Sequence, residues 1–173
     1  DNDIYSFQNE YRQANKNSNF VADFGFVNGY EENNRSHLFA SYDLDLKLSE
    51  FNESNLLINF EQVSNDTYLK VFDSYMSNSE TKFSNSNVMN NSINLSLDHE
   101  NYSFTSGFEV WENLSVTKNS DRYQYILPYY NFDTILGNQI YNGSVGFNSS
   151  GSNNLNNTND LTSSITNNLD FTS

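Results

Sequence analysis

The sequence predicts an all-β protein, an antiparallel up-and-down meander of about nine or ten strands. Residues 35–48, RSHLFASYDLDLKL, show the clearest period of two, with apolar side chains at even positions and polar ones at odd positions, broken once by Phe39. This period is typical of a strand with one face in water. Aromatic residues make up 16% of the chain and hydrophobic residues only 36%, a balance that argues against a helical bundle and against disorder.

The first half of the chain reads as a series of strands separated by turn residues. Residues 4–13 place Tyr5, Phe7 and Tyr11 on one face, residues 19–27 place Phe20, Ala22, Phe24 and Phe26 on one face, and the strand at 35–48 follows after a polar run. Residues 55–63 repeat the alternation with leucine, isoleucine and phenylalanine. Residues 64–72, SNDTYLKVF, begin with turn chemistry, and we expect them to resume as a short strand.

A long loop and a hairpin are expected next. Residues 76–91 are rich in Ser and Asn, so we expect most of them to form a loop, with weak strand signal only near residues 81–84. Residues 92–98 and 102–112 alternate on either side of the tight turn HEN and form the clearest hairpin of the chain.

The last third adds three more alternating stretches. Residues 123–132 read as a strand, and Pro128 inside it predicts a bulge or a position whose N–H the ladder does not need. Residues 139–148 read as another strand, residues 149–159 as an Asn-rich loop, and a final strand begins at Leu161. No stretch has a helical period long enough to predict a helix.

We expect residues 1–173 to form a single segment of a large transmembrane β-barrel, which taken alone would be a curved open sheet. The chain begins at Asp1 with no initiator Met, signal peptide or helix-length apolar run, which favours a piece of a longer protein. A meander of this length without a closing partner would also leave two unpaired edges.

The two faces of the strand at 35–48 carry different chemistry. Alternation held for about a dozen residues exceeds the usual five or six and is close to the roughly 9–11 that a tilted strand needs to cross a bilayer. We expect Asp43, Asp45 and Lys47 to face a lumen. The opposite, outer face is expected to carry Leu38, Tyr42, Leu44 and Leu46. The pattern by itself fits a soluble antiparallel sheet equally well.

Charge and composition disfavour several classes of function. Eight Lys and Arg residues against 22 Asp and Glu give a net charge of −14, which repels phosphate backbones, so we expect no nucleic-acid partner. The chain has no Cys, which excludes a disulfide or thiolate metal site within it. His37 and His99 lie in no spacing used for metal or nucleophile chemistry, and we expect both to face solvent or a lumen. We therefore expect no enzyme, and no catalytic, metal-binding or cofactor-binding residue.

Aromatic side chains near strand ends, including Trp111, admit two interpretations. They are typical of the aromatic girdles at a membrane interface. They also follow from the general preference of aromatic residues for strands.

Three ordered stretches resemble the outer-membrane LPS-assembly protein family, the LptD-type β-barrel. They are NEYRQANKNSNF at residues 9–20, VSNDTYLKVF at residues 63–72 and DRYQYILPYYNF at residues 121–132. The family carries an EYR-type strand, then a SxDxYL-like motif, then an RYxYLP-like strand in this order. The matching positions are Glu10, Tyr11, Arg12, Asp66, Tyr68, Leu69, Arg122, Tyr123, Leu127 and Pro128.

The resemblance implies a function without covalent chemistry. It implies part of a barrel of about 26 strands in the bacterial outer membrane, serving as a wall of the translocon that assembles lipopolysaccharide at the cell surface. Its partners would be lipopolysaccharide, a lipoprotein in the lumen and a periplasmic bridge protein, and no cofactor is implied. Two alternatives stay open, which are another outer-membrane barrel, such as a porin or receptor, and a soluble or secreted β-sandwich binding module.

Overall fold

In a computed structural model, the chain forms one antiparallel sheet. The structure describes residues 5–30, 33–72, 85–117, 121–140, 142–156 and 159–172. Within these ranges nine strands follow one another in chain order, and each pairs with the next. The strands are β1 Tyr5–Ala14, β2 Ser18–Tyr30, β3 Asn33–Asp45, β4 Glu53–Val63, β5 Val88–His99, β6 Tyr102–Asn113, β7 Tyr123–Ile140, β8 Gly143–Asn156 and β9 Leu161–Thr172, with one short helix, α1 Tyr68–Phe72, between β4 and β5.

The predicted meander is confirmed: all eight neighbouring pairs are antiparallel, and the sheet is open. The bulge predicted at Pro128 is also confirmed. The register of β7 against β8 shifts between Ile126 and Tyr129, and the register of β6 against β7 shifts between Gly107 and Glu109. A proline lacks the N–H that a regular ladder position uses, so the chain passes it with a register shift.

The short strand expected within residues 64–72 is wrong, because the segment forms α1. The side-chain oxygen of Asn65 accepts hydrogen bonds from the backbone N–H of Thr67 at 2.9 Å and from its hydroxyl at 2.7 Å, which fixes the turn that starts the helix. Tyr68, Leu69 and Phe72 are then buried. A helix of five residues is stabilised by such packing and not by its own propensity.

Four other boundaries differ from the prediction. The strand β3 ends at Asp45, and Lys47 has a positive φ of 55°. The loop expected at 76–91 lies partly outside the described residues, and residues 88–91 belong to β5. Residues 139–148 contain the end of β7 and the start of β8, with Asn142 between them at φ 63°. Residues 149–156 continue β8, because Ser and Asn there pair with both neighbouring strands despite their preference for loops.

The sheet has one apolar and one polar face. Directly paired residues of an antiparallel sheet project to the same side, so the pairing register assigns each side chain to a face. Ile58, Ile93 and Phe108 form one row across three strands. The exposed side chains of the apolar face include Phe7, Phe24, Phe26, Leu38, Phe60, Ile93, Phe108, Ile165, Leu169 and Phe171. The polar face includes Gln8, Asp23, His37, Ser41, Asn59, Ser92, Asn94, Glu109, Asp133 and Asn148.

The buried apolar cluster lies where α1 packs on the sheet. It is made of Val27, Phe39, Tyr68, Leu69, Phe72, Met89 and Leu114. These residues come from β2, β3, α1, β5 and the segment after β6. The helix therefore joins parts of the sheet that lie on both sides of the β4–β5 pair.

The strands β4 and β5 separate at the end nearest α1. Their direct pairing runs from Glu53 with Asp98 to Asn59 with Ser92. Beyond it, the side chain of Asn91 accepts a hydrogen bond from the N–H of Glu61 at 2.9 Å and donates one to its carbonyl at 3.2 Å. A side-chain amide thus takes the place of the missing ladder bonds.

Candidate functional site

The helix α1 is attached to the sheet by a buried hydrogen-bonded chain of three side chains. His37 lies between Tyr68 and Asp23, with its Nδ1 2.7 Å from the Tyr68 hydroxyl and its Nε2 3.2 Å from a carboxylate oxygen of Asp23. Gln8 donates to the same carboxylate at 3.4 Å, and the Phe39 ring stacks on the imidazole. The side chains of His37 and Asp23 are each 1% exposed, so this chain of contacts holds the helix and leaves no room for a substrate.

Gly25 makes room for the imidazole of His37. The two residues are directly paired across β2 and β3. A Cβ atom at position 25 would lie 2.4 Å from Cε1 of His37, closer than any real contact. Because Gly25 has no side chain, the imidazole of His37 can approach β2 closely enough to contact Asp23.

A second attachment joins the turn that starts α1 to the β6–β7 connection. The guanidinium of Arg122 donates two hydrogen bonds to Asp66, at 2.6 and 3.0 Å, and one to Glu112 at 2.7 Å. It also donates to the carbonyl of Val116 at 3.0 Å. The paired geometry with Asp66 matches the fork of an arginine to the two oxygens of a carboxylate, which is the strong form of this interaction. We call the contacts of Asp23, His37, Tyr68, Asp66, Arg122 and Glu112 the helix anchor.

The helix anchor keeps two of its members, Arg122 and Tyr68, protonated at neutral pH. The hydrogen bonds with Asp66 are the largest cause that raises the pKa of Arg122 above its ordinary value, so the cation is permanent. Burial, followed by the negative charge of Asp23, raises the pKa of Tyr68 to about 12. The phenol therefore keeps its proton at neutral pH and can donate it to Nδ1 of His37.

The structure brings together motif residues from two of the three family-like stretches. Asp66 and Arg122 form the ion pair, Tyr68 contacts His37, Leu69 is fully buried, and the hydroxyl of Tyr123 donates to Glu112 at 2.9 Å.

The remaining motif residues lie elsewhere. Glu10 and Arg12 form an ion pair on β1, and Tyr11 packs beside Phe20 on the apolar face. Leu127 and Pro128 lie at the bulge of β7.

The predicted lumen residues occupy the end of β3. Asp43 is exposed and shares the polar face with Ser41, opposite Leu38, Tyr42 and Leu44. Lys47 lies two residues beyond the strand, forms an ion pair with Asp45, and donates its backbone N–H to the Asp45 carboxylate at 2.9 Å. This pair belongs to a turn and not to a regular strand face.

Sequence reasoning missed the buried part of the anchor. The expectation that both histidines face solvent or a lumen is wrong for His37, because α1 covers it. The sequence pattern carries no signal for Asp23 and Glu112, or for Arg35, whose guanidinium donates to the hydroxyl of Thr67 at 3.1 Å. The usable signal was Phe39, whose break in the alternation marks the place where the polar face is covered.

The polar face also carries a groove, beside the separated ends of β4 and β5. Its cavity measures about 700 Å³, and its lining includes Asn59, Glu61, Ser92, Asn94, Glu109 and Trp111. Asn59, Ser92 and Glu109 are successive partners across β4, β5 and β6, so they project side by side. We call this cavity the polar groove.

Comparisons with protein-family models, curated proteins and solved structures find no match to this chain. Across the part of the chain that the structure describes, no three His, Cys, Asp or Glu side chains are grouped so that they could hold a metal ion. The only helix in those residues, α1, has five residues and is too short to cross a membrane.

Proposed function

We propose that this sheet is part of the wall of an outer-membrane β-barrel that assembles lipopolysaccharide at the cell surface. The apolar face would contact lipid and the polar face would line the lumen. The observation that carries the proposal is the exposure of large apolar side chains from β1 to β9 on one face, with hydrogen-bonded polar side chains on the other.

The energetics of the apolar face favour a lipid environment. Apolar surface removed from water contributes about 25 cal/mol per Å². Contiguous exposed apolar patches beyond a few hundred Å² are rare on soluble monomers. The strands also have a suitable length, since they run from 10 to 18 residues and a tilted strand needs about 9–11 to cross the hydrocarbon core.

The lipopolysaccharide part of the proposal rests on the family-like motifs. Asp66 and Arg122 belong to two different stretches and lie 56 residues apart in the sequence. Their ion pair gives a physical reason for the two motifs to occur together. A wall that carries such a motif pair would act with a lumen lipoprotein and a periplasmic bridge protein. Polar side chains lining the lumen would act collectively, without covalent chemistry.

The membrane part is tested by a matched pair of substitutions on β5. Leu95 lies on the apolar face and its neighbour Ser96 on the polar face. An arginine on the lipid face costs about 2–4 kcal/mol at the midplane and almost nothing in a wet lumen. We expect Leu95→Arg to block assembly into the outer membrane and Ser96→Arg to be tolerated, scored by heat-modifiable mobility in membrane fractions. Equal tolerance of both variants in a water-soluble protein would point to a β-sandwich.

The transport part is tested by complementation of a strain depleted of its own transporter with the intact protein that carries this segment, scored by surface lipopolysaccharide labelling. We expect Asp43→Asn and Lys47→Gln to leave labelling nearly unchanged, and deletion of residues 92–112 to abolish it because losing two strands breaks closure and register. Normal insertion of the intact wild-type protein without any rescue of labelling would point to another outer-membrane barrel.

A further inference from the structure

The polar groove has the chemical composition of a carbohydrate site. Its lining offers an indole ring, two carboxylates, side-chain amides and a hydroxyl, all on one face of the sheet. Sugar hydroxyls can both donate and accept hydrogen bonds, so amides and carboxylates together satisfy them. The flat apolar side of a pyranose ring packs against an aromatic ring such as that of Trp111.

The lining side chains are held in place by their own hydrogen bonds. Trp111 donates its indole N–H to Glu109 at 2.9 Å, which fixes the direction of the ring. Ser41 donates to Asn59 at 2.9 Å, and Asn94 donates to Ser92 at 3.3 Å. A preorganised site loses less conformational entropy on binding.

Gly107 allows this arrangement on the neighbouring strand. Tyr129 reaches past it to donate its hydroxyl to the side-chain oxygen of Asn94. A Cβ atom at position 107 would lie 2.5 Å from that oxygen and 2.9 Å from the hydroxyl of Tyr129. Because residue 107 has no side chain, Tyr129 of β7 can reach the groove and hydrogen-bond to Asn94.

The charge of the polar groove selects among sugars. Glu61 and Glu109 line it, and its described lining contains no Lys or Arg. Like charges repel a phosphate or carboxylate on a ligand, and desolvating an anion beside two carboxylates without a cation is unfavourable. An uncharged sugar unit is neither repelled by the two carboxylates nor subject to the cost of desolvating an anion beside them.

We propose that the polar groove is a subsite for an uncharged saccharide unit, with Trp111 as the stacking platform and Glu109 and Asn94 as hydrogen-bonding partners. The identity of the physiological ligand, a neutral sugar of the transported glycolipid, rests on the proposed function. The binding itself does not, since it depends only on the groove.

The chain offers a built-in reporter, because Trp111 is its only tryptophan. The experiment titrates the chain in detergent micelles with maltotriose, N-acetylated chitotriose and glucose phosphate and follows Trp111 fluorescence, with circular dichroism confirming the β-sheet. We expect saturable changes with the neutral oligosaccharides and none with the phosphorylated sugar. Equal binding of the phosphorylated sugar, or no saturable change in a folded preparation, would overturn the proposal.

Variants separate the contributions of the lining residues. Asn94→Ala should weaken neutral oligosaccharide binding about tenfold, the effect of roughly 1.4 kcal/mol. Glu109→Gln keeps an acceptor for the indole but removes one charge, so it should reduce the discrimination against glucose phosphate. Trp111→Ala, followed by calorimetry, should abolish binding. Asp133→Asn, on the polar face but outside the groove, is the matched control and should change nothing.

The outcomes also separate this inference from the proposed function. Loss of sugar binding in Trp111→Ala with surface lipopolysaccharide still assembled would leave the wall proposal intact and limit the subsite to binding. Saturable neutral-sugar binding by this chain, with an intact protein that inserts but fails to complement the depleted strain, would support the subsite and remove the transport proposal. Unchanged affinity in Trp111→Ala would overturn the subsite whatever the complementation result.

Discussion

The part of the sheet covered by α1 and the edge formed by β8 and β9 have the same antiparallel ladder and opposite surroundings. At the first, the side chains of His37 and Asp23 are 1% exposed and their polar groups are satisfied by the helix and the sheet. At the second, every described residue of β9 is exposed. The polar face is therefore dry under α1 and wet at β9. Single substitutions on the polar face should lower the free energy of unfolding strongly only where α1 covers that face.

The largest difference is expected between two leucines. Leu69 of α1 is 0% exposed, and Leu169 of β9 is 69% exposed. Leu69→Ala should lower the free energy of unfolding by about 2–5 kcal/mol, because the substitution leaves a cavity in the buried cluster. Leu169→Ala leaves no cavity and loses only part of the transfer of one side chain into detergent, so it should lower the free energy of unfolding clearly less than Leu69→Ala does. Urea unfolding in detergent micelles, followed by circular dichroism, measures both, and equal losses would contradict the comparison.

A smaller difference is expected between two arginines. Arg122 is 2% exposed by its side chain and Arg12 is 49% exposed. Arg122→Gln should cost about 2–3 kcal/mol, since it leaves Glu112 and Asp66 without their cation. Arg12→Gln, at an exposed pair, should cost less than about 1 kcal/mol.

A double-mutant cycle isolates the ion pair of Arg122 with Asp66. The side chain of Asp66 is 46% exposed, so solvent screens part of the interaction. We expect a coupling of about 1–2 kcal/mol between Arg122→Gln and Asp66→Asn. Additive losses in urea unfolding would mean that the ion pair of Asp66 with Arg122 contributes nothing to stability.

A difference of similar size to that between the arginines is expected between two glycines. An alanine at Gly25 would press on the imidazole of His37, whereas one at Gly146 would meet only the carbonyl oxygen of Asp170, at 4.0 Å. Gly25→Ala should cost about 1–3 kcal/mol by displacing His37 from Asp23, and Gly146→Ala should be nearly neutral. Tolerance of both substitutions in the same unfolding assay would show that His37 does not depend on the space above Gly25.

The two faces could be predicted from the sequence because they depend on local alternation. The period of two assigns residues such as Leu38 and Asp43 to opposite faces of the sheet. The helix α1 could not be predicted, because five residues carry no period and their stability comes from packing. The contact between His37 and Tyr68 spans 31 residues and depends on that packing. Residues 149–156 resembled a loop because Ser and Asn favour turns, but pairing on both sides keeps them in β8.

The central claim, that the apolar face contacts lipid, is most directly tested by cysteine labelling along β5. The chain has no Cys, so Leu95→Cys and Ser96→Cys each introduce a unique thiol on opposite faces. In membrane vesicles, a water-soluble maleimide should label Ser96→Cys quickly and Leu95→Cys slowly. After the lipid is removed and the protein is unfolded in denaturant, the two labelling rates should be equal. Equal rates in vesicles, or protection of Leu95→Cys without any lipid present, would contradict the account.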